Sequence, residues 1–107
     1  MSFTLDDLAA LIKARRNDSA STSYTKTLLD AGMPRIAKKF GEEAVETVIA
    51  AMESDRSALV NEAADTFYHL LVMLEARDIS LGDVLHELER RTKQSGLAEK
   101  AARGAKE

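Results

Sequence analysis

Cysteine and tryptophan are absent from the 107 residues, proline occurs once, glycine five times, and aromatic side chains make up only 5%. Without cysteine there is no disulfide framework, thiolate zinc site or cysteine nucleophile, and the composition suits a reducing cytoplasm. So little proline and glycine leaves too few turn residues for an all-β sandwich or barrel of many short strands. Long apolar runs are missing as well: none exceeds five residues, as at 70–74, against the roughly 20 needed to span a membrane. The opening Met1-Ser2-Phe3-Thr4-Leu5-Asp6-Asp7 lacks a basic stretch followed by an apolar one, so no secretion signal is expected there. Nor is there an excess of positive charge. Eighteen acids against fifteen bases give −3, which supplies no global field for nucleic acid, so any phosphate contact must be local.

What is there is a chain 45% hydrophobic and 31% charged, rich in Ala, Leu, Glu and Lys and long enough for one domain. An all-α bundle of four to five helices with short connections is expected. The helical domain should occupy residues 1–95, followed by a flexible charged tail over 96–107. Leu5, Leu8, Ala9, Leu11 and Ile12 recur at helical spacing behind Thr4, with Asp7 three residues after Thr4 as in a capping box. Residues 17–23 are small and polar and read as a loop. A short helix over 24–30 should stop at a left-handed Gly32, and Pro34 fits the first turn of a long helix reaching Met52. A turn at 53–56, a fourth helix over 57–77, and a fifth opened by Ser80 and Asp83 and running to about Gln94 follow. No repeat or domain boundary is evident.

The residues that carry chemistry are carboxylates. Glu42-Glu43-Ala44-Val45-Glu46 lies on the long helix and Glu62-Ala63-Ala64-Asp65 on the next. Residues three apart share a helix face, so Glu43 pairs with Glu46 and Glu62 with Asp65. If the two helices fold back antiparallel about Ser54, positions equidistant from it lie level: Glu46 with Glu62, and Glu43 with Asp65. An error of one residue shifts this by only ~1.5 Å, and helix axes roughly 8–10 Å apart let both sets of side chains reach a common ion. Like charges so gathered repel and raise their own pKa values unless a cation neutralises them. All-oxygen ligation points to Mg2+, or Mn2+ in its place, and away from zinc or copper.

The plainer reading is a solvated acidic face, which helical Glu-x-x-Glu spacing often is. Against it, the fourth helix carries no acid or base over 57–74 besides Glu62, Asp65 and His69. Its apolar residues spread in nearly every direction, so it should be buried, where isolated carboxylates are costly. Such a helix needs apolar cover beyond one small chain, so a homo-oligomer with this hairpin at its centre is expected. His69, level with Lys39, reads as a satisfied core or interface histidine rather than a metal ligand.

Arg35, Lys38 and Lys39 precede the acids, and Lys26 stands further upstream beside Ser23, Tyr24 and Thr25. Cations one to two turns from metal-binding acids can hold a polyphosphate whose other oxygens bind the metal, which makes Lys39, Lys38, Arg35, Lys26, Ser23 and Thr25 candidate phosphate contacts. The competing reading is ordinary pairing of Lys38 with Glu42 and Lys39 with Glu43. Neither G-x-x-x-x-G-K-[ST] nor G-x-G-x-x-G occurs, so metal must neutralise the phosphates. This set favours metal-dependent hydrolysis of a phosphoanhydride. Glu42, beside the ligand pair, is the candidate base for the attacking water.

Ser23-Tyr24-Thr25, Leu28, Gly32, Ile36, Lys39, Gly41-Glu42-Glu43-Ala44-Val45-Glu46, Asn61-Glu62-Ala63-Ala64-Asp65 and Tyr68-His69-Leu70-Leu71-Val72 together resemble the phosphoribosyl-ATP pyrophosphatases. These are histidine-biosynthetic members of the all-α, MazG-like NTP pyrophosphatase superfamily. The resemblance runs from about Asp6 to Arg91. It implies hydrolysis of phosphoribosyl-ATP to phosphoribosyl-AMP and pyrophosphate, Mg2+ held by Glu43, Glu46, Glu62 and Asp65, and a homodimer of intertwined helices with sites near the subunit interface. Phe40 stands where a smaller aliphatic residue is expected before Gly41, a packing change that leaves the acids intact. Some relatives are fused to a zinc-dependent cyclohydrolase; a chain of this length without cysteine resembles the stand-alone form.

Three alternatives carry distinct expectations. A house-cleaning pyrophosphatase of the same superfamily would use the same metal chemistry on dNTPs or NTPs. A carboxylate-bridged di-iron bundle needs two Glu-x-x-His pairs, which Asp65 and His69 do not provide. A non-catalytic helical interaction module would carry the acids as solvated charge only.

Overall fold

A computed structural model of the chain describes residues 2–20, 23–93, 100–101 and 103–104. Among them the structure is all-α: α1 (Leu5–Arg15), α2 (Tyr24–Ala31), α3 (Met33–Met52), α4 (Arg56–Ala76) and α5 (Leu81–Thr92). The tail expected over 96–107 lies mostly outside the described residues.

Local sequence sets the helix ends. The Thr4 hydroxyl accepts from the Asp7 N–H at 3.1 Å while Asp7 accepts from the Thr4 N–H at 3.0 Å, a reciprocal capping box. Ser23 caps α2 by accepting from the Lys26 N–H, and Ser80 caps α5 by accepting from Asp83. Gly32 ends α2 and begins α3 at once, with φ 94° and ψ 168°. That is a glycine-only region of backbone space, and not the left-handed helical conformation expected from sequence. Pro34 sits in the first turn of α3, where a missing N–H costs nothing. After α3 the chain reverses through Glu53 and Ser54, the latter at φ 57°, and Asp55 caps α4 by accepting from the Ala58 N–H. Asp55 as cap moves the start of α4 one residue ahead of the expected position.

The core gathers at the end of the α3–α4 hairpin away from its turn. Ile12 of α1, Leu28 of α2, Ile36 of α3 and Leu71 and Val72 of α4 are buried together, with Leu8, Met33, Tyr68 and Leu81 against them. Arg16 locks this end from outside: one guanidinium nitrogen donates to Glu75 at 2.6 Å and Asp78 at 3.0 Å, tying the C-terminus of α1 to that of α4.

The turn-side half of the hairpin is different. Val45, Val48, Ile49 and Met52 form an i, i+3, i+4, i+7 stripe on α3, and all are more than half exposed; Val60 and Phe67 do the same on α4. The expectation that α4 is buried all round therefore fails within one chain, where only His69, Leu71 and Val72 of that helix are buried. Apolar composition measures how much cover a helix wants, and α1, α2 and α3 supply it only to the C-terminal half.

Candidate metal centre

The four acids sit midway along the hairpin, between the core and the turn. One ligand oxygen each from Glu43, Glu62 and Asp65 lies within 4.8 Å of the others. Glu46, one turn beyond Glu43, is exposed and stands outside that trio, but it acts on both Glu43 and Glu62. The level pairs expected from sequence thus meet: Glu46 acts on Glu62, and Glu43 feels the charge of Asp65. Asp65 is exposed and Glu62 half-buried, so the cost of the cluster comes from mutual repulsion as much as from burial.

Both effects appear in the titration of the acids. Burial pushes the Glu43 carboxyl up, and the neighbouring charges of Glu46 and Asp65 push it further. Glu62 is pushed up to about 7, first by its hydrogen bond with Glu46, then by loss of solvent, then by the charges of Glu46, Glu43 and Asp65. One oxygen of each, Glu43 Oε2 and Glu62 Oε2, is shut off from solvent with no hydrogen-bond partner. Acceptors of this kind are normally satisfied. Their convergence, all oxygen and bearing like charge, fits a hard divalent cation such as Mg2+.

Threonines that sequence reading missed flank the acids. Thr47 Oγ1 lies 2.8 Å from the Glu43 carbonyl oxygen, Thr66 Oγ1 2.9 Å from the Glu62 carbonyl oxygen, and the two hydroxyls meet across the helices at 2.8 Å. The available signal was a short repetition, Glu43-Ala44-Val45-Glu46-Thr47 against Glu62-Ala63-Ala64-Asp65-Thr66. On the other side, buried His69 has Nδ1 2.7 Å from the Asp65 carbonyl oxygen and Nε2 3.5 Å from the Tyr24 hydroxyl. The carbonyl can only accept, so Nδ1 is the donor there, and Nε2 faces the Tyr24 hydroxyl. His69 is thus a satisfied histidine.

The remaining candidates are placed unevenly. Glu42 is exposed and lies 3.4 Å from Lys39, a pairing different from either expected one. Glu42 and Glu46 line the same open hollow with Gly41 and Val45. Arg35 and Lys38 are exposed on the preceding turn of α3, while Lys26 pairs with Asp30 on α2 at 3.0 Å. Ser23 and Thr25 are not presented to solvent: at 4% and 5% exposure, one caps α2 and the other bonds the Tyr68 hydroxyl. As placed, both hold α2 against α4.

A family model described as phosphoribosyl-ATP pyrophosphohydrolase matches residues 5–92. The chain belongs to the phosphoribosyl-ATP pyrophosphohydrolase family. Proteins named phosphoribosyl-ATP pyrophosphatase are similar to it over nearly their whole length. That of Agrobacterium fabrum is 58% identical and that of Methylobacterium radiotolerans 56%, each over 94% of both chains. That of Rhodobacter capsulatus is 56% identical over 94% of this chain and 97% of the relative. The match to this pyrophosphohydrolase family spans all five helices, and with them every carboxylate of the cluster.

Proposed function

We propose that this chain hydrolyses phosphoribosyl-ATP to phosphoribosyl-AMP and pyrophosphate, the second step of histidine biosynthesis, with Mg2+ held by Glu43, Glu46, Glu62 and Asp65. The observation that carries the metal is the pair of buried, unpartnered carboxylate oxygens on Glu43 and Glu62 within the cluster these two form with Asp65, which Glu46 adjoins. The substrate is supported by family membership and by the names of the relatives. Bound there, Mg2+ or Mn2+ would polarise the phosphoryl oxygens, acidify a water and stabilise the leaving pyrophosphate. Glu42, exposed at the edge of the cluster and 3.4 Å from Lys39, is the group to take the water's proton. Lys39, Lys38 and Arg35, one to two turns ahead on α3, and Lys26 on α2 are the cations available to a polyphosphate. Ser23 and Thr25 serve by fixing the helix that carries Lys26.

The same reading makes the protein a homodimer of intertwined helices. The α3 and α4 stripes through Val48, Ile49, Val60 and Phe67 leave large apolar surface uncovered, and a second copy supplies the cover that one chain lacks. No helix among the described residues is long and apolar enough to cross a membrane, and a cysteine-free biosynthetic enzyme fits the cytoplasm.

Hydrolysis of phosphoribosyl-ATP should require Mg2+ and be lost in Glu43→Gln. Rapid turnover of dCTP or dUTP with none of phosphoribosyl-ATP would assign the protein instead to the house-cleaning pyrophosphatases. The unmodified chain, but not Glu43→Gln, should rescue a histidine-requiring strain lacking this step. Light scattering should give twice the chain mass, and Val48→Asp should give the monomer.

A further inference from the structure

The Thr47–Thr66 contact joins the two helices at the level of the acids, and its chemistry is constrained by proton count. Three contacts connect the Glu43 carbonyl, Thr47, Thr66 and the Glu62 carbonyl in a line, yet the two hydroxyls have only two protons to donate. One hydroxyl therefore donates across the helices while the other donates to its own carbonyl. Either assignment links the two backbones through neighbouring hydroxyls. The carbonyls at the ends of this chain belong to Glu43 and Glu62, the same residues whose carboxylates each keep a buried, unpartnered oxygen.

Resting on the metal reading above, we propose that Thr47 and Thr66 are positioning residues that fix the spacing between the Glu43 and Glu62 carboxylates and so set the cation affinity of the cluster. Three features support this. The threonines stand four residues after the two acids on both helices, so each side chain lies over the turn that carries its acid. Each threonine also directly follows the second acid of its pair, Glu46 on α3 and Asp65 on α4. Apart from the approach of Glu46 to Glu62, which turns repulsive once both are ionised, the Thr47–Thr66 contact is the one hydrogen bond described between α3 and α4 side chains at this level, so it is the contact that holds the charged acids at their separation.

The test is Mn2+ binding to the full chain, followed by the loss of the free-ion EPR signal, in Thr47→Val, Thr66→Val and the double variant, with far-UV CD as a check on folding. Valine keeps the branched shape and removes the hydroxyl. Each valine variant should bind Mn2+ about tenfold more weakly, the scale of losing a partner that orients a ligand. The double variant should lose no more than either single, because one missing hydroxyl already breaks the line. Thr47→Ser with Thr66→Ser, which keeps both hydroxyls, should restore the affinity. Where a valine variant loses helicity, the alanine variants provide the same comparison. Unchanged affinity in the valine variants, losses that multiply, or failure of the serine pair to restore binding would each overturn the positioning role while leaving the metal reading intact. No Mn2+ bound by the unmodified chain would overturn both.

Discussion

Glu46 on α3 and Glu62 on α4 stand level across the hairpin, and interaction with Glu46 is the first of the influences raising Glu62 to about 7.

The pH dependence follows from its sign. With a folded pKa above its ordinary value of 4.5, Glu62 binds more proton in the folded chain than in the unfolded one, so stability falls as pH rises from 4.5 to about 7. Metal replaces that proton. Melting of the metal-free protein should therefore drop over this window, saturating Mg2+ should restore the loss, and Mg2+ affinity should climb until about pH 7. A metal-free melting curve equally steep in Glu62→Gln would refute the assignment.

Glu62→Gln should separate stability from activity. It removes one like charge while keeping a hydrogen-bonding group opposite Glu46, so the metal-free variant should melt higher than the unmodified chain at pH 8. Phosphoribosyl-ATP hydrolysis should fall by about 10²-fold or more, the scale of misplacing reacting groups. Steady-state rates and calorimetry on the same preparation check both halves.

Gly32→Ala tests the α2–α3 joint. A Cβ there would meet nothing nearer than Pro34 Cδ at 4.0 Å, so crowding is no obstacle. The cost lies in holding φ 94° and ψ 168° with an L side chain, on the order of 1–3 kcal/mol. Urea denaturation should show a lower midpoint with an unchanged slope.

At the opposite end, Arg90 and Arg91 hold Glu87 down to about 2 through hydrogen bonds. A depressed carboxyl contributes stability above its ordinary 4.5 that is lost as pH falls toward 2. The melting temperatures of Glu87→Gln and the unmodified chain should differ at neutral pH and converge in acid.

Features encoded within a few residues were legible in the sequence. The Thr4–Asp7 box, the Ser80 cap and Pro34 in the first turn of α3 depend only on near neighbours. The level pairs Glu46/Glu62 and Glu43/Asp65 were legible because a short turn leaves an antiparallel hairpin little freedom of register. Thr47 with Thr66, Thr25 with Tyr68 and Arg16 with Glu75 were not, because such pairings depend on how helices rotate about their axes. Which residues of α4 stay exposed within one chain, Val60 and Phe67 among them, was not legible for a different reason: an apolar helix face looks the same in sequence whether its own chain or another covers it.

All four carboxylates come from one contiguous hairpin running from Glu43 to Asp65, and that bears on the order of folding. Closing so short a loop costs little chain entropy, and contacts between segments close in sequence form early. The acids are therefore brought together by the fastest-forming part of the chain, before α1 or α5 needs to dock. A divalent cation present during folding would meet its ligands at that stage, and should speed folding as well as stabilise its product.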